Sequence, residues 1–260
     1  MRSLLLMAAA LTVPALLPAQ DPGHSGHDNH AGHGDHAGHE PQSQKAGSQT
    51  VCPVMGKPID KEVYADYEGQ RVYFCCKKCA AKFQDFPDRY LFAMYQKGVA
   101  PENIQKTCPI SGKELGADSP SVQVLNKTIR VCCPKCQAKV KADPVKYLDI
   151  LEGRKAQSEC PATWEPVDGE TSAVIQGQKV QFCCAGCDKK MKSDPDKYFT
   201  ALARKGMVTE QAEMVCPLSG EEIKPGSGIP ITWKGRRFWF CCEKCVAKFV
   251  QDPAKVLASL

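Results

Sequence analysis

The chemistry of this chain is concentrated in its thiols. Sixteen cysteines fall into four quartets: Cys52 with Cys75, Cys76 and Cys79; Cys108 with Cys132, Cys133 and Cys136; Cys160 with Cys183, Cys184 and Cys187; Cys216 with Cys241, Cys242 and Cys245. In every quartet a Cys-Pro stands well ahead of a Cys-Cys-x-x-Cys cluster. Such thiols could be metal ligands, halves of disulfides or redox pairs. Adjacent Cα atoms lie about 3.8 Å apart, below the usual disulfide range, so Cys75 is not expected to bridge Cys76. Closing Cys-x-x-Cys on itself would leave Cys52 and Cys75 to pair across whatever separates them. For metal binding the pattern is more direct. Cys76 and Cys79 are three residues apart and share a helix face, and a helix N-terminus, with Lys77 and Lys78 beside it, favours the thiolate. A cysteine arriving from the distant Cys-Pro completes a four- or three-sulfur set of the kind that suits Zn or Cu(I).

The elements that must position these sulfurs recur with them. After each Cys-Pro (Pro53, Pro109, Pro161, Pro217) comes an apolar residue at Ile59, Leu115, Val167 or Ile223, and then alternating segments on either side of a turn at Gly69, Asn126, Gly177 or Gly235. That pattern predicts a β-hairpin running into each Cys-Cys-x-x-Cys. Phe83, Val140, Met191 and Phe249 follow the last cysteine by four residues, and a second helix is predicted from Pro87, Pro144, Pro195 and Pro253. Asp143, Asp194 and Asp252 precede three of those prolines as N-caps, and Gly98, Gly153 and Gly206 close the first three helices. The expected fold is α+β: four tandem small metal-stapled modules at 51–98, 99–153, 154–206 and 207–260, each a Cys-Pro knuckle, a hairpin and two short helices. A module of this size buries little apolar surface, which is why a staple is needed. First and third modules end in "QKG" or "RKG", while second and fourth open with "CPISGKEL" and "CPLSGEEI". A duplicated two-module block is expected, with the modules packing as pairs.

Residues 1–20 have a basic start, an apolar run from Leu4 to Leu17 that is too short to span a bilayer, and small residues near Ala19; they read as a signal peptide. Residues 21–50 read as a disordered, metal-capturing tail in which His24, His27, His30, His33, His36 and His39 recur every third residue, able to hold Cu, Zn or Ni with Asp28 and Asp35 adding oxygen donors. The net charge of +5 is too small and dispersed to suggest a nucleic-acid partner, and no second apolar segment could cross a membrane.

The residues "CPVMGK", "YEGQRVYFCCKKC" and "KFQDFPDRYL" resemble the YHS and TRASH family of small metal-binding domains, whose pattern runs Asp-Pro-Val-Cys-Gly-Met, then a hairpin ending Tyr-x-Phe-Cys-Ser-x-x-Cys, then Phe and a Pro-x-x-Tyr helix. All four modules fit this resemblance, from Val51 onward. It implies a knuckle, a hairpin and a short helix, with Cys75, Cys79 and their equivalents as ligands. There are departures. The family's knuckle cysteine falls on Met55, Ser111, Thr163 and Ser219, its Asp on Cys52, Cys108, Cys160 and Cys216, and its serine on Cys76, Cys133, Cys184 and Cys242. The Tyr-His-Ser triplet falls on Tyr64, Ala65 and Asp66, so no histidine ligand carries over. Trp164 stands where the other knuckles have Gly56, Gly112 and Gly220, and a tryptophan tolerates positive φ poorly, so the third knuckle is expected to differ or be weaker. Met55 could add a thioether for Cu(I), although packing is the commoner use of methionine.

These readings point to an exported, periplasmic or secreted, multi-site heavy-metal-binding protein for sequestration, buffering or transfer, with metal ions as its ligands and a metal transporter or efflux component as a candidate partner. The modules contain no histidine, nucleophile elbow or phosphate loop, so no enzyme activity is expected. The alternatives are a thiol-disulfide redox protein using the Cys-x-x-Cys pairs, and zinc-stapled modules that bind a protein partner.

Overall fold

The computed structural model describes residues 47–224 and 226–258. The expected signal peptide and the histidine tail lie outside the described residues. Each module has the anticipated hairpin, joined by a two-residue turn: Asp60–Tyr67 with Gln70–Phe74, Ser121–Val124 with Lys127–Arg130, Ser172–Ile175 with Gln178–Gln181, and Ile229–Trp233 with Arg236–Phe240. The first turn residues, Glu68, Leu125, Gln176 and Lys234, all have φ between 48° and 51°, the left-handed conformation that matches the twist of the strands.

Two helices follow each hairpin. They are α1 (Lys77–Asp85) and α2 (Pro87–Gln96), α3 (Pro134–Ala142) and α4 (Pro144–Leu151), α5 (Cys187–Ser193) and α6 (Pro195–Arg204), and α7 (Glu243–Gln251) and α8 (Pro253–Leu257). The carboxylates of Asp143, Asp194 and Asp252 accept from the backbone N–H of Lys146, Lys197 and Lys255, the capping bond expected before proline. Each module has its own small core, with Phe83, Val140, Met191 and Phe249 at its centre, every one essentially fully buried.

Module 1 has Phe86 at the position of the capping aspartates. The departure is explained by packing: Phe86 and Phe92 enter the core of module 4, where Phe86 meets Phe249 edge-on at 6.4 Å between ring centres. A capping bond has been exchanged for an apolar contact between modules.

The modules are joined in two equivalent pairs. Gln70 Nε2 donates to Thr128 O at 2.9 Å in the first pair, and Gln178 Nε2 donates to Arg237 O at 2.8 Å in the second. Asp88 on α2 holds buried Lys127 at 2.8 Å, and Asp196 on α6 holds buried Arg236 in the same way. Short strands repeat too: Glu102–Asn103 adds to the first hairpin and Glu210–Gln211 to the third, while Gly47–Ser48 pairs with Val99–Ala100 as Lys155–Ala156 pairs with Met207–Val208. These equivalences are what a duplicated two-module block would leave.

A buried charge network then ties one pair to the other. Glu68, wholly buried, accepts from Lys127 at 2.7 Å, Arg154 at 2.6 Å and Arg237 at 3.2 Å, and Arg237 also reaches Asp149 at 3.0 Å. Burial opposes ionisation of Glu68, but the three cations prevail and hold its carboxyl far below the usual range. Removing one member would leave its partners buried and uncompensated, a loss of about 3–5 kcal/mol. Asn126 is likewise buried and donates to Leu91 O and Val99 O, so the Asn126-Lys127-Thr128 sequon is structural.

Candidate metal centre

The knuckle brings the first sulfur. In module 1 the Cys52 N–H donates to Lys57 O at 2.7 Å and the Gly56 N–H to Cys52 O at 2.8 Å, folding the chain back so that Cys52 is buried under the end of the hairpin. Modules 2, 3 and 4 repeat both bonds at 2.8–2.9 Å. Module 3 does so with Trp164, whose φ of 65° matches 68° at Gly56, 69° at Gly112 and 70° at Gly220. The expectation of a different third knuckle is therefore corrected. The left-handed strain is accepted by a side chain lying under the Lys205 ammonium, 4.3 Å from the ring centre.

The hairpin delivers the second sulfur and the helix the third. Cys75, Cys132, Cys183 and Cys241 follow the hairpins by one or two residues, while Cys79, Cys136, Cys187 and Cys245 sit in the first turn of α1, α3, α5 and α7. With the knuckle cysteines they form four sets: Cys52, Cys75 and Cys79; Cys108, Cys132 and Cys136; Cys160, Cys183 and Cys187; Cys216, Cys241 and Cys245, each with all its sulfurs within 4.8 Å of one another. The hairpin-to-helix edge measures 3.7, 3.8, 3.9 and 3.8 Å in modules 1 to 4. Two thiolates bound about 2.3 Å from one tetrahedral ion stand about 3.8 Å apart, whereas a disulfide needs about 2.05 Å. The residues present thus fit a thiophilic metal ion.

Cys76, Cys133, Cys184 and Cys242, included above among the candidate ligands, fall outside these sets. Cys76, Cys133 and Cys242 are the N-cap residues of their helices, and Cys76, Cys184 and Cys242 are exposed. In module 3 the cap is Gly186 instead, in the left-handed conformation.

The electrostatics divide the thiols. Burial opposes ionisation of Cys108, but the Ser111 hydroxyl and the backbone N–H groups of Ile110, Cys132 and Ser111 outweigh it and bring the thiol down to about 6. Cys160 and Cys216 fall to about 7, again against burial. At Cys160 the N–H of Cys183 and the Thr163 hydroxyl lead, and at Cys216 the Ser219 hydroxyl and the N–H of Cys241. Cys52 is also lowered, but by the backbone N–H groups of Cys75, Met55 and Val54 and by Cys75, with no hydroxyl among its donors. The helix cysteines behave otherwise than the sequence suggested. Burial and the neighbouring thiols push Cys79, Cys136 and Cys187 up to about 12 and raise Cys245 as well, while Cys76, Cys133 and Cys242 are lowered, chiefly by the N–H groups of Cys79, Cys136 and Cys245. Lys77 and Lys78 are not among the causes at Cys79. Proximity to a positive helix end is outweighed by loss of water.

Sequence reasoning missed the hydroxyls. Ser111 Oγ lies 3.2 Å from Cys132 Sγ, Thr163 Oγ1 3.2 Å from Cys183 Sγ, and Ser219 Oγ 3.5 Å from Cys241 Sγ. Recurrence of a short hydroxyl residue at one knuckle position was the available signal. At that position module 1 has Met55, and its side chain is 57% exposed, which overturns the expectation that it is used for packing.

Among the described residues no helix is long and apolar enough to cross a membrane. No curated protein and no solved structure matches the chain. The YHS domain family model matches residues 51–93, the span holding the first knuckle, hairpin, cysteine cluster and the start of α2. The match covers the first module, and the chain repeats that module's cluster of potential metal-ligating cysteines three more times.

Proposed function

We propose that the protein is an exported carrier of a soft or borderline metal ion, Zn or Cu(I), which it takes up at four thiolate sites for sequestration, buffering or transfer. The observation that carries this reading is the spacing of the sulfurs, chelating rather than bonding, in four copies. Three sulfurs from three separate elements suit a site that holds an ion and can still surrender it, because a fourth direction stays open. The histidines at positions 24 to 39 would collect ions weakly and raise their concentration near the modules, and a transporter or efflux component would deliver or receive them. We read the protein as a carrier rather than a catalyst, since its modules have sulfur ligands and no histidine base.

The test is to purify the mature protein without oxygen and to measure bound metal and free thiol on one sample. About four ions per chain with the thiols reduced is the expected outcome, and cobalt substitution should then give sulfur-to-cobalt charge-transfer bands. A metal-free protein with all sixteen cysteines oxidised would overturn the reading in favour of redox chemistry.

A further inference from the structure

In modules 3 and 4 the second cysteine of the pair completes another three-sulfur set. In module 3, Cys184 Sγ lies 3.8 Å from Cys183 Sγ and 3.6 Å from Cys187 Sγ, and Cys183 and Cys187 are 3.9 Å apart. Module 4 repeats the triangle with edges of 3.9 Å (Cys241 to Cys242), 3.7 Å (Cys242 to Cys245) and 3.8 Å (Cys241 to Cys245). In module 1 the Cys76 to Cys79 edge is 3.6 Å. These lengths match the separation of two thiolates on one tetrahedral ion.

The two triangles share an edge. Cys183 and Cys187 belong to both, with buried Cys160 closing one and exposed Cys184 closing the other. A single tetrahedral ion with four thiolates would hold all six sulfur pairs near 3.8 Å. Cys160 and Cys184 do not meet that condition, because the set whose members all lie within 4.8 Å of one another is Cys160, Cys183 and Cys187. Each quartet therefore has an inner and an outer face.

We propose that each quartet is two adjoining three-sulfur metal sites of the kind seen in modules 3 and 4: an inner one that stores the ion, and an outer one, closed by Cys76, Cys133, Cys184 or Cys242, through which Zn(II) or Cu(I) is received and released. The proposal rests on the metal-binding reading above and adds a route to it. The ion crosses by trading one sulfur. In module 3 the bond to Cys160 breaks as the bond to Cys184 forms, and the bonds to Cys183 and Cys187 persist. No electron moves; the incoming thiol gives its proton to water and the outgoing thiolate takes one. Once outside, the ion is open to a thiol or imidazole of an acceptor, which displaces the remaining sulfurs in turn. Without the outer thiol, an acceptor would have to reach an ion whose third ligand is buried at the knuckle.

The experiment compares the full chain with the variant C76S/C133S/C184S/C242S, both loaded anaerobically with Cu(I) or Zn(II) and mixed with a chromophoric chelator in a stopped-flow instrument. Serine is a favoured N-cap residue, so three of the four changes suit the helices they begin, and C184S alone in the full chain serves as a second variant for the position that is not a cap. The variant is expected to bind about four ions in its inner sets and to release them about tenfold more slowly or worse. C184S alone should slow one quarter of the release amplitude. Release at the parent rate would overturn the proposal, and loss of bound ions from the variant would overturn it by making the outer cysteine a resident fourth ligand. A parent protein that binds no metal would sink the metal-binding reading itself.

Discussion

The knuckle of module 1 and those of modules 2 to 4 share one backbone path and differ in what it presents to the sulfurs. Where Ser111, Thr163 and Ser219 place a hydroxyl 3.2–3.5 Å from a cluster sulfur, module 1 places an exposed thioether. A hydroxyl donates to a thiolate and stabilises its charge, whereas a thioether offers only a soft lone pair. The difference teaches that four sites built from the same three cysteines need not hold the same ion equally well. Three have a hydroxyl beside a cluster sulfur, and the first has none.

The bluntest way to break the comparison is to remove a ligand that both kinds of site share. Cys52→Ser and Cys108→Ser should each cost one bound ion of the four, with affinity at that site falling by more than about 100-fold, the ceiling for residues that only support a ligand. Equilibrium dialysis against zinc would show it. Retention of all four ions by Cys108→Ser would mean that the buried set is not the resident site.

Ser111→Ala sharpens the comparison by making module 2 resemble module 1. The hydroxyl favours the charged form of Cys108, so its loss must raise that thiol from about 6 toward its ordinary value. A thiolate absorbance titration of the metal-free protein should show one step moving to higher pH. At pH 7 zinc must then displace a proton that was formerly absent, weakening binding by about tenfold for each unit moved. A step that stays in place would show that the backbone N–H groups suffice.

The smallest effect is expected from Met55→Ser, which gives module 1 the missing donor. Cys52 should ionise at lower pH, and zinc should bind there about threefold to tenfold more tightly, the net worth of one ordinary hydrogen bond at a partly solvated site. Cu(I) should gain less than zinc or lose affinity. Equal gains for both ions would remove the thioether from the explanation.

Much of this arrangement was legible before any coordinates. Quartet spacing, the turn residues and the Asp-Pro pairs each have a local physical cause, and local causes survive into the fold. The choice of three sulfurs from four was hidden because Cys75, Cys76 and Cys79 are close enough in sequence that spacing alone admits any of them. The ionisation of Cys76 follows the sequence reading, but that of Cys79 does not, for a related reason: helix position is local, whereas burial of Cys79 depends on how Phe74, Phe83 and the knuckle close over it. Least visible were the contacts between modules. Nothing local distinguishes Lys127 from an ordinary turn lysine, although buried Gln70, Gln178 and Arg236 at the same register show in retrospect that this place always faces a neighbour.

That last feature bears on survival between loads. A lone metal-stapled domain of this size unfolds when its ion leaves, and unfolded chain is what proteases recognise. Here the hairpins of modules 1, 2 and 4, the second helices of modules 1 and 2, and Arg154 at the start of module 3 are clamped together by Glu68, Asp88, Lys127, Asp149, Arg154 and Arg237, none of which belongs to a cysteine set. On the carrier reading proposed above, these ion pairs would keep an emptied module fastened to its neighbours and out of reach of proteases until it takes up another ion.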